Sequence, residues 1–181
     1  MEVDLLRRYK KAFTLNEGEV GDEARGIFVL ETNEQDWQAF FPFLHANPYD
    51  LEFLVRGKQM PFPERIEDYF AVIQKHNNSP VSHIEDSPVI LIDKKHLAIG
   101  CFCTAEMGIA FTISVKGFQD ETTLGEQLAR FLDFIHTIGR VLNKVIILAP
   151  EVSPYFHLFR FDPRTGEEHW FLEHIDAFDP D

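Results

Sequence analysis

Cysteine is scarce in this sequence: two residues among 181, Cys101 and Cys103. Two positions apart on a predicted strand, they are poorly placed to bridge each other, so no disulfide framework is expected. A reducing compartment, the cytoplasm, is the expectation. Long apolar runs are also lacking. Those present, such as 145–150, fall far short of the ~20 residues of a membrane span. The opening Met1-Glu2-Val3-Asp4 has acids where a secretory signal needs a basic region. Basic residues are few, 17 Lys and Arg against 30 Asp and Glu, giving a net charge of −13. Such a charge disfavours nucleic acid and anionic membrane as partners. A Gly-rich phosphate loop, a Gly-x-Ser-x-Gly elbow and a His-Glu-x-x-His helix are all missing. No catalytic set, metal set or cofactor motif emerges.

Phenylalanine, by contrast, is abundant: 18 residues against four Tyr and two Trp. Phe carries a large apolar area with no polar handle, so material for a sizeable core is present. With no internal repeat or long linker, residues 1–181 are expected to form a single α+β domain.

Leu6, Tyr9 and Phe13 mark one face of a short helix over 2–13, followed by an acidic loop and a β run over 26–30. Thr32 with Gln35 has the form of a capping box and opens a helix with Trp37, Phe40, Phe41 and Leu44 on one face. Pro42 should end or kink that helix. A strand over 51–55 precedes a helix over about 63–76. The clearest pattern lies in a central strand hairpin (88–116). There Leu97, Ile99, Cys101 and Cys103 alternate with Ala98, Gly100 and Phe102, and Ile109, Phe111 and Ile113 alternate with Ala110, Thr112 and Ser114. A period of two makes one face bulky and the other small, suited to the close approach of a helix or a partner.

Thr123 and Glu126 suggest a second capping box. It opens one long crossover helix (123–143) with an apolar stripe from Leu124 to Ile138. The all-apolar strand that follows suggests parallel pairing across a right-handed crossover. A C-terminal hairpin is expected around the turn 162–166. The fold class is therefore α+β, with a mixed, largely antiparallel sheet.

Several residue groups have chemical potential, each with a plainer structural reading. Cys101 and Cys103, with His96, could hold a soft metal or supply a nucleophile, but they fall on the bulky face, where cysteine acts as a small hydrophobe. His157, His169 and His174 lie among Glu167, Glu168, Glu173 and Asp176, and a hairpin could bring His157 to His169 across strands. That is the alternative function: a small metal-binding protein or hydrolase using these groups. Glu64, Glu67 and Asp68 sit where acids offset a helix dipole. Ser82-His83 has no third member, and the basic face of Arg7, Arg8, Lys10 and Lys11 reads as solvated.

The acids are not spread evenly. Residues 14–37 carry seven against Arg25 alone, and 151–181 carry eight against Arg160 and Arg164. Aromatics interleave with both clusters. Aromatic anchors ringed by acids describe an interface for a basic protein, with Glu34, Asp36, Trp37, Phe159, Glu167, Glu168 and Trp170 as the expected contacts. The leading expectation is a non-catalytic binding module. In general character such a domain resembles bacterial immunity and inhibitor proteins, which neutralise basic toxins. A homo-oligomer, with the Phe-rich surface buried between copies, is a third reading.

Overall fold

The computed structural model describes residues 12–13, 24–47, 49–77, 87–104, 107–118, 120, 122–150, 155–171 and 173. In chain order the elements are β1 (Ala24–Val29), α1 (Glu34–Ala46), β2 (Leu51–Val55), β3 (Lys58–Met60), α2 (Ile66–Asn77), β4 (Val89–Ile92), β5 (Ile99–Cys103), β6 (Ile109–Ser114), a 3-10 turn (Val115–Phe118), α3 (Leu124–Leu142), β7 (Ile146–Pro150), β8 (Phe159–Asp162) and β9 (Glu167–Trp170). Ala12 and Phe13, from the expected first helix, are helical and buried. The basic face of that helix, Ser82-His83, His174 and the acids Glu17, Glu19, Asp22, Glu23, Glu151, Asp176, Asp179 and Asp181 lie outside the described residues.

The chain folds as α+β. All nine strands join one sheet in the order β3-β2-β4-β5-β6-β1-β7-β8-β9, and every described pairing is antiparallel. This corrects the expected parallel pair. α3 does carry the chain from β6 to β7, which run in the same direction, but β1 is inserted between them and bonds antiparallel to each. β3 was not anticipated. It returns beside β2 through Arg56 and Gly57, both at positive φ (53° and 67°), the conformation of a two-residue hairpin turn.

The bulky face of the central strands carries the main core. Phe111 meets Phe40 of α1 and Phe134 of α3 edge-on at 5.6 and 5.4 Å, and Phe53 meets Tyr69 of α2 at 5.8 Å. Helices α1, α2 and α3 thus reach this one face. The small-residue face, to which a helix might have been assigned, is tiled by its own aromatics. The Phe28 ring lies over Gly26, where a Cβ would sit 2.5 Å from it, and Phe102 lies over Gly100 in the same way. Val145, Ile147 and Ala149 pack beside Phe28 there.

Local signals were partly reassigned. The cap of α1 is Asn33, not Thr32: its side chain accepts from Gln35 N at 2.8 Å, and Asp36 accepts from Asn33 N at 2.9 Å. Pro42 lies inside α1, which continues to Ala46 and closes on Asn47, whose Nδ2 donates to the Phe43 carbonyl. Thr123 sits at the start of α3 without a side-chain cap bond, while Glu126 pairs with Arg130 at 3.0 Å. Among the described residues no helix is long and apolar enough to cross a membrane.

Candidate functional site

The insertion of β1 into the middle of the sheet brings the described acids that follow β1 to the same end of the sheet as those of the β8–β9 turn. β1 ends beside the start of β7, where Leu30 N donates to the Val145 carbonyl at 2.9 Å. β7 in turn pairs with β8, Ile146 opposite Phe161. The chain after β1 and the β8–β9 turn therefore emerge at the same end of the sheet. Between them lies a recess of about 220 Å³ shared by Glu31, Lys144, Arg160 and Arg164. Lys144 is delivered by the way α3 stops: Asn143 is left-handed (φ 52°), and Lys144 N reaches back to the Gly139 carbonyl at 3.1 Å.

Much of the acidity at this end is already answered from within. Asp162 accepts from Arg164 Nε and Nη2 at 3.0 and 2.8 Å and from Arg160 Nη2 at 3.0 Å. These bonds, led by those of Arg164, hold its carboxyl well below the usual range. Asp36 serves the α1 cap and lies 3.8 Å from Lys144 Nζ, which also donates to the Glu31 carbonyl at 3.0 Å. Glu168 Oε1 is 2.8 Å from His136 Nε2 of α3. Glu31, Glu34 and Glu167 remain exposed. Glu168 is exposed as well, beside His136, so four glutamates among the described residues lie at the surface of this end.

The aromatics expected at the interface differ in exposure. Trp37 and Phe159 are both 0 % exposed. Trp37 packs among Phe40, Tyr69 and Phe70, and Phe159 lies beneath Trp170 with ring centroids 4.5 Å apart. Their alternation and helical spacing serve this chain's own core, so neither can anchor a partner. Trp170 is half-buried on Phe159, on the edge strand β9. Of the seven expected contacts, Glu34 and Glu167 are exposed and make no ion pair among the described residues, Glu168 is exposed beside His136, and Asp36 lies near Lys144. The three cations Lys144, Arg160 and Arg164 were not foreseen. Only their closeness in sequence to Asn143 and Asp162 hinted at them.

No protein-family model, curated protein or solved structure matches this chain.

The remaining candidates are placed as follows. The β8–β9 register sets His169 opposite Arg160, not His157; the two histidines instead flank Phe171, with ring distances of 4.4 and 5.7 Å. Among the described residues no three His, Cys, Asp or Glu side chains form a metal-binding group. Cys101 is fully buried, and burial raises its thiol pKa well above the ordinary value. Cys103, half-buried near Met107 Sδ at 3.8 Å, is pushed up to about 11, first by burial and then by the charge of Glu34. Neither thiol is poised as a nucleophile. Asp68 is gripped by Arg65 at 2.9 and 3.0 Å, and Glu64 precedes α2. Asp68 is thus engaged in a surface ion pair.

Proposed function

We propose that this protein is a non-catalytic binding module whose acidic end takes a basic protein partner, in the manner of an inhibitor or immunity-type protein. One observation supports the reading: the chain after β1 and the β8–β9 turn, each bearing exposed acids, emerge at one end of the sheet. Glu31, Glu34 and Glu167 face outward there. Electrostatic attraction at such a surface raises the association rate and is weakened by salt. The free thiols Cys101 and Cys103 favour a reducing cytoplasm as the compartment.

The test is retention of proteins from cell lysate on the immobilised chain at low and high salt. It is run beside a variant carrying Glu31→Lys, Glu34→Lys and Glu167→Lys. A basic protein retained at low salt, released by high salt and lost in the variant supports the reading. Retention indifferent to all three charge reversals ends it.

A further inference from the structure

At the opposite edge of the sheet from the acidic end, a groove of about 620 Å³ opens between the β2–β3 hairpin and α2. Its volume falls within the ~300–1,000 Å³ of small-ligand sites. Phe53, Val55, Met60, Pro61 and Val72 give it apolar walls. Met60, on the edge strand β3, stands 48 % exposed beside the groove. The contact of Phe53 with Tyr69 fixes the hairpin against α2, so the groove is held open by the core beneath it.

Among the described lining residues, the charge at its rim is opposite in sign to that of the chain. Arg56 and Lys75 line it, in a protein of net charge −13. Asp68 is the carboxylate among the described lining residues, and Arg65 already holds it through two bonds. His76, in the same wall as Lys75, is 7 % exposed, and among the described residues its Nδ1 has no hydrogen-bond partner. An apolar trough with a net cationic rim is complementary to a molecule with an apolar body and a negative head.

We propose that this groove binds a small amphipathic anion: an unbranched apolar chain ending in one carboxylate. The chain lies along Phe53, Met60 and Val72, and the carboxylate is held at Lys75. The site is independent of the acidic end and stands or falls without it.

Decanoate, titrated calorimetrically below its micelle-forming concentration, is the probe, with decanol as the uncharged control. Saturable one-to-one binding of decanoate is expected, with decanol and the Lys75→Glu variant each about tenfold weaker, as befits loss of a charge-assisted bond. Met60→Asp, which puts a like charge on the apolar wall, should abolish binding. Met60 and Lys75 are exposed, so both variants should keep the wild-type circular dichroism spectrum. Absence of saturable heat overturns the proposal. So does decanol binding as well as decanoate, or two folded variants that bind like the wild type.

Discussion

The Trp37 indole donates its Nε1–H to the Met107 carbonyl at 3.0 Å, tying the first turn of α1 to the entry of β6. A tryptophan that donates inward and is 0 % exposed is a structural tie. Trp37→Phe keeps much of the apolar area but removes the donor, and should cost about 1–3 kcal/mol. Trp37→Ala adds a cavity and should cost about 3–5 kcal/mol. Urea unfolding followed by circular dichroism measures both. A Trp37→Ala protein as stable as the wild type would return this residue to the surface.

Asp162 makes the C-terminal hairpin sensitive to acid. Its bonds to Arg164 and Arg160 lower its folded-state pKa, whereas an unfolded aspartate titrates near ~3.9. A carboxyl depressed in the folded state contributes its stability above the unfolded value and loses it as pH falls toward the folded value. Asp162→Asn should therefore unfold at lower temperature than the wild type near neutral pH. The gap between the two should close as pH falls from ~4 toward ~2. A gap that stays constant with pH would mean the two arginines do not act on Asp162 through its charge.

The parts of the fold that could be read from sequence are those whose pattern is local. The apolar stripe of α3 and the alternation through Ile99–Cys103 and Ile109–Ser114 each identify an element and its buried face without a partner. What failed was decided by distant contacts. Thr32 and Asn33 are both competent caps. Thr32 is unavailable because its Oγ1 accepts from Ile109 N at 2.9 Å, leaving the cap to Asn33. Nothing local says that β1 slips between β6 and β7, yet that insertion sets the chain after β1 and the β8–β9 turn at one end of the sheet. The same limit explains the aromatics. Periodicity marks Trp37 and Phe159 as lying on a coherent face, but it cannot say whether the chain or a partner covers that face.

The thiols give a chemical check on burial. With Cys103 pushed up to about 11 and Cys101 raised well above its ordinary value by burial, little thiolate exists near neutral pH. Iodoacetamide should label the native protein slowly at Cys103, with a rate that rises with pH, and should reach Cys101 only after denaturant is added. Mass spectrometry of the peptide spanning both residues distinguishes one adduct from two. Rapid double labelling of the native protein at neutral pH would contradict the buried face.

Gly139 sets two effects of opposite sign against each other. It lies inside α3, where alanine is favoured over glycine by about 1 kcal/mol, so Gly139→Ala should stabilise on propensity alone. A Cβ there would sit 2.8 and 2.9 Å from Cε1 and Cδ1 of Phe161. That ring is 1 % exposed and lies against His136 at 4.6 Å, so it has little room to withdraw. Overpacking of this kind costs about 1–3 kcal/mol and should outweigh the propensity gain. The expected result is a less stable Gly139→Ala protein in denaturant unfolding. Phe161→Leu removes the ring and should make the same Gly139→Ala change neutral or stabilising, so the double variant would be more stable than the sum of the single losses. Additive losses would mean that α3 does not rest on β8 through this contact.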